Sequence, residues 1–177
     1  MKAIAAAIAT LALVSTSALA QSPYAGMQTR SIKALSAQQI DDLNAGRGMG
    51  LALAAELNGY PGPLHVLELS DRLALSAEQK QRVQKLFDSM KAESTPIGAR
   101  LIEQEGALDR QFASRSITSD VLQDATMKIG LTQAELRNAH LKYHLETAQI
   151  LSPEQMKQYA DLRGYVSDAP ARHHRMH

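Results

Sequence analysis

From Val83 to Phe112 apolar side chains recur at steps of three and four. They are Val83, Phe87, Met90, Ile97, Leu101, Leu108 and Phe112, with Ser94 and Glu105 standing at the two missing steps. That spacing places them on one face of an α-helix. The stripe keeps its phase across Pro96, so the expected element is one helix over about 77–113, kinked where proline removes a donor and its ring crowds the preceding turn. At 1.5 Å per residue such a helix is roughly 55 Å long, more an arm than a core helix. Ser114 to Ser119 reads as a turn, and a second long helix follows over about 119–149, with Leu122, Ala125, Ile129, Leu136, Tyr143 and Ile150 on its inner side. Runs alternating at period two are missing, so the fold class is all-α, a kinked long-helix hairpin.

Shorter elements flank it. A first helix is predicted over about 37–58, with Ile40, Leu43, Leu53 and Leu57 on its greasy side and Met49 between them. Gly46, Gly48 and Gly50 each cost roughly 1 kcal/mol against Ala inside a helix. Either the helix breaks there or a neighbouring backbone comes close. Asn58 to Pro63 (NGYPGP) is a stop and turn, followed by short helices over about 64–73 and 153–166. Aromatic residues are only 4% of the chain, which suits thin helix-on-helix packing.

The N-terminal twenty residues stand apart. Met1-Lys2 is a basic start, Ala3 to Val14 an apolar run, and Ala18-Leu19-Ala20 a small-x-small cleavage signal. This reads as a secretory signal peptide cleaved after Ala20, too short to span a bilayer. Its removal takes away one cation and leaves the remainder formally neutral, since the whole chain carries a net charge of +1. Neutrality speaks against a nucleic-acid partner, and no other apolar run is long enough for membrane insertion. The chain has no Cys, which excludes disulfides, thiolate metal sites and a cysteine nucleophile. Residues 21–34 show no period and read as a flexible leader. Residues 35–166 form the helical domain, and 167–177 a disordered His/Met-rich tail.

One pentad pattern, Leu-Ser/Thr-x-x-Gln/Glu, occurs at Leu35, Leu75, Leu131 and Leu151. Its physical meaning is a capping box: the hydroxyl accepts from the N3 amide while the N3 side chain accepts from the cap residue's own N–H. The leading Leu can staple onto N4, which is Ile40, Leu136 and Met156 in three copies. The copy at Leu131 lies inside a continuous stripe and is expected to be a decoy in mid-helix. The copies Leu75-Ser76-Ala77-Glu78-Gln79 and Leu151-Ser152-Pro153-Glu154-Gln155 precede a long and a short helix in an exported chain without Cys. In this they resemble the paired LTxxQ motifs of the Spy/CpxP family of periplasmic chaperones and stress regulators, with Ser in place of Thr. The resemblance covers about residues 35–166. It implies a helical hairpin that dimerises into a thin cradle and holds unfolded or aggregation-prone periplasmic proteins without ATP, and a membrane sensor protein as a further partner. On that reading Met90, Ile97, Leu101, Leu108 and Phe112 are the candidate client-binding residues. Lys80, Arg82, Lys85 and Lys91 could make the cradle locally basic, but Glu78, Asp88 and Glu93 interleave with them as on a solvated face.

A related branch binds heavy metals, and here the alternative function is a metal-binding sensor or resistance regulator taking Zn, Cu or Ni; no cofactor is required. His140 and His144 stand at i,i+4 and can share an ion, and His65 precedes the Leu75 pentad. Laid on that branch, Val66, Ser70, Tyr143 and Thr147 occupy the expected ligand positions, and the histidines miss by one position, about 100° of helix rotation. Solvated or capping histidines are the plainer reading. The tail cluster His173, His174, Met176 and His177 offers imidazole and thioether donors without a scaffold. Catalysis is not expected. Gly46-Arg47-Gly48-Met49-Gly50 lacks the preceding strand and spacing of a phosphate loop, and no nucleophile elbow, zinc-protease or nucleotide-loop sequence occurs.

Overall fold

The computed structural model describes residues 23–165. The stretch read as a signal peptide and the tail cluster, with His173, His174 and His177, lie outside these. Among the described residues there are six α-helices and no strand: α1 (Ala37–Asn44), α2 (Leu53–Glu56), α3 (Pro63–Glu68), α4 (Ala77–Ala113), α5 (Ser119–Ala148) and α6 (Pro153–Arg163). None of them is long and apolar enough to cross a membrane.

Helices α4 and α5 form the hairpin, and the shorter helices pack along it. Three of the four pentads start helices. Ser36, Ser76 and Ser152 each cap α1, α4 and α6 in a complete capping box with Gln39, Gln79 and Gln155. The fourth lies within α5, where Leu131 is exposed and Thr132 buried. Pro96 sits inside α4, which is unbroken over 37 residues.

The expected first helix over 37–58 is instead two short ones. It breaks after Asn44, and Gly46 adopts φ +67°, a left-handed conformation that side chains disfavour. Of the two alternatives for the glycines, the break is the one that holds; what crowds Gly46 is mainly α4 side chains, a Cβ there lying 2.7 Å from Ser94 Oγ and 3.4 Å from the Lys91 carbonyl. Ser94, the polar gap in the α4 stripe, is fully buried and donates to the Gly46 carbonyl at 3.2 Å. One turn on, Gly98 lets the Leu43 carbonyl approach so closely that a Cβ would stand 2.5 Å from it. The break also resets the helical phase, so Leu53 and Leu57, expected on the buried side, are 54% and 58% exposed.

Two apolar clusters hold the molecule. The base cluster joins Val66, Leu73, Val83, Ile150, Leu151 and Tyr159, where α3, the start of α4, the end of α5 and α6 meet. The middle cluster joins Leu35, Leu43, Leu101, Ile129 and Leu136. The segment before α1, predicted from its lack of period to be a leader, contributes at its end: Ile32 packs on the middle cluster and the Lys33 amide donates to Asp109 at 3.2 Å. Toward the hairpin tip packing thins. Phe112, Val121 and Leu122 are exposed, the last against the expectation that it faces inward.

Candidate functional site

The motif residues do more than cap. Gln79 Nε2 donates to Gln155 Oε1 at 2.8 Å, and Gln155 Nε2 returns a bond to Gln79 Oε1 at 3.1 Å. Each Oε1 also accepts from its own cap residue, Ser76 N–H at 3.0 Å and Ser152 N–H at 2.9 Å. Each Nε2 reaches a carbonyl as well, Ile150 at 2.9 Å from Gln79 and Leu73 at 3.2 Å from Gln155. A carboxylate could make the capping bond but could not donate to its counterpart. Glutamine is therefore the residue that both pentads need, and it clasps two helix starts 76 residues apart.

Beside this clasp lies a buried carboxylate that sequence reasoning missed. Glu56, only 7% exposed, accepts from the Tyr159 hydroxyl, from Tyr165 OH at 3.0 Å and from the Gly62 amide at 3.1 Å, with Arg163 Nε at 3.6 Å. Burial, then the bond to Glu56, pushes the Tyr159 hydroxyl well above the usual phenol range. A glutamate in a four-residue helix carries no sign of this in the sequence; its side-chain partners, Tyr159 and Tyr165, stand over a hundred residues on.

Next to Glu56 lies an open-sided hollow of about 180 Å³ between the Gly48–Leu53 loop, α3 and α5. His65, His140 and His144 all line it. His140 is 2% exposed, and its Nε2 is buried without a hydrogen-bond partner. Burial, with a smaller push from His144, holds this imidazole below its usual pKa, so it is neutral at pH 7. His144, also buried, donates from Nδ1 to the Tyr60 carbonyl at 2.7 Å. His65 stands half-buried at the side, its Nδ1 3.0 Å from Glu68. Among the described residues no three His, Asp or Glu converge as metal ligands would. The positions suggested by the metal-binding branch are core instead: Val66, Ser70, Tyr143 and Thr147 are all buried. Tyr143 donates to Glu93 at 3.0 Å and Thr147 to the Tyr143 carbonyl at 2.6 Å.

The five candidate client residues are not one surface. Met90 and Leu101 are buried, Ile97 and Leu108 half-buried, and Phe112 alone is exposed. Burial follows from the stripe itself, since these residues are what α4 packs against its neighbours. The exposed apolar row lies elsewhere, on the outer side of α5. Met127, Leu131, Ala134, Asn138, Leu141 and Leu145 follow one another at steps of four and three. Met127, Leu131 and Leu145 are 67%, 64% and 51% exposed, and Leu141 is half-buried. The four basic residues of early α4 are exposed, with acidic neighbours between them.

No family model, curated protein or solved structure matches the chain.

Proposed function

We propose that this chain is an exported, non-catalytic holding protein that shields apolar segments of unfolded or aggregation-prone proteins in the cell envelope, without ATP. The observation that carries the reading is the outer row of α5. Its 4-3-4-3-4 spacing is that of a helix-pairing seam, yet Met127, Leu131 and Leu145 face solvent. Exposed apolar side chains aligned on one helix face mark interaction surfaces. An extended client segment would lay alternate apolar residues on the row, and a helical one every third or fourth, with Asn138 available to a client backbone. The resemblance of the Leu75 and Leu151 pentads to Spy/CpxP chaperones supports the same job. Two further partners belong to this reading, a second copy of the chain and a membrane sensor protein.

The test is light scattering from a chemically denatured client diluted into buffer with a near-stoichiometric amount of the protein. The chain should suppress aggregation, and Leu131→Glu with Leu145→Glu should abolish suppression while leaving helicity intact. Suppression that is absent, or untouched by the double variant, would sink the proposal. So would a dimer that the double variant splits while suppression persists, because the row would then be a self-association seam.

A further inference from the structure

The hollow beside Glu56 has a chemistry that holding clients does not use. His140 is 2% exposed, and a buried Nε2 with no partner is a group left unsatisfied, a state that folding ordinarily avoids. One turn on, His144 donates its Nδ1 proton to the Tyr60 carbonyl at 2.7 Å. In the neutral ring that leaves a bare lone pair at Nε2, and a backbone acceptor behind one nitrogen is the usual way a metal-binding imidazole is oriented. The ring is faced by Gly62, where a Cβ would stand 3.0 Å from Nε2; His140 is faced by Gly48, where a Cβ would stand 3.3 Å from Nδ1. Glycines at both positions keep side chains off the two imidazoles.

The remaining donors decide which ion fits. Glu56 lines the hollow, but its two oxygens are taken by Tyr159, Tyr165 and the Gly62 amide. Among the described residues no third imidazole or carboxylate completes a set. An ion that asks for three or four nitrogen or oxygen ligands is therefore poorly served. Two thioethers also line the hollow: Met90, buried, and Met49, 43% exposed at its side. In a chain without Cys the thioether is its soft donor, and thioether with imidazole selects monovalent copper.

We propose that the hollow is a Cu(I) site, with the His140 and His144 imidazoles and the Met90 thioether as ligands and Met49 as an outer donor. The site is independent of the α5 row and of any client. It would let an exported protein take up copper in its reduced form.

The experiment titrates Cu(I) anaerobically against a chromogenic copper chelator, with Zn(II) in parallel. It uses the full-length exported chain carrying His173→Ala, His174→Ala, Met176→Ala and His177→Ala, so that the tail cannot compete. One Cu(I) per chain is expected, bound more tightly than Zn(II), with a rise in melting temperature as for any ligand of the folded state. Met90→Leu, a volume-conserving change, should weaken Cu(I) by about tenfold or more and leave Zn(II) unchanged; His140→Gln should weaken both. Should His140→Gln fail to fold, Met90→Leu carries the test alone. Cu(I) affinity unchanged in Met90→Leu, no Cu(I) retained at all, or Zn(II) bound as tightly as Cu(I) each overturns the assignment.

Discussion

The two ends of the hairpin are built from similar helices but held in different ways. At the base, the starts of α4 and α6 are locked by the Gln79–Gln155 clasp, and Glu56 ties α2 to Tyr159 and Tyr165 from within a buried cluster. At the tip, α4 and α5 meet through a turn at Ser114 to Thr118 whose Arg115 has φ +55°, and Phe112, Val121 and Leu122 remain at the surface. Capping differs in degree, with complete boxes at Ser76 and Ser152 against a single bond from Val121 N–H to Thr118 at the tip, but this is the smaller part of the difference. Buried hydrogen-bonded groups make the larger part, because each such group is costly to expose singly and so melts only with its partners. The base is therefore the cooperative unit, and the tip is the part of the hairpin that opens first.

This contrast can be broken most forcefully at Glu56. Glu56→Ala leaves the Tyr159 hydroxyl and the Gly62 amide buried without an acceptor, and should destabilise the protein by about 3 kcal/mol or more. The urea midpoint measures it, and a shift no larger than that of a surface substitution would show that the base owes little to the buried network. Next in size is the clasp. Gln79→Ala should cost about 1–2 kcal/mol, and a double-mutant cycle with Gln155→Ala should show coupling. Gln39→Ala, whose side chain only caps α1, should cost less, on the order of a single cap. Additive effects of Gln79 and Gln155 would mean that the reciprocal amide bonds contribute nothing beyond capping.

The tip should respond weakly. Phe112→Ser and Leu122→Ser are expected within about 0.5 kcal/mol of the parent, while amide exchange in residues 108–124 should be faster than at the base. The smallest effect concerns Glu105, the half-buried acid in the α4 stripe, whose pKa burial raises above the usual glutamate value. A raised acid binds its proton more readily when folded. Its stabilising contribution is therefore present below about pH 4.5 and lost as pH rises through the folded value. Glu105→Gln should match the parent near pH 4 and melt slightly higher at pH 7. A gap that widens toward acid would reverse the sign and refute burial as the cause.

Much of this architecture was legible because it is local. Stripe spacing set α4 and α5 to within a residue, and a pentad is read from five neighbours, so three helix starts were visible and Leu131 was recognisable as interior. The break after Asn44 was only half legible. Glycines announced it, but the phase reset that turned Leu53 and Leu57 outward depends on how the loop docks at Ser94 and Gly98. At the candidate site, the i,i+4 spacing of His140 and His144 was readable. Their meeting with Gly48, Gly62 and Met90 was not, since those come from three other segments. Glu56 and the glutamine clasp were invisible for the same reason: both are contacts between residues far apart in the chain. The outer row of α5 was readable in principle from its steps of four and three, hidden because that helix is apolar on two sides.

The clasp also has a consequence for the order in which the molecule takes shape. In a chain delivered N-terminus first, Gln79 emerges with its amide facing an empty position, and no residue before Gln155 supplies the matching group. Closure of the base must wait until almost the whole helical hairpin has been delivered. Of the described helices, the last to arrive is thus the one that bolts the first long one in place.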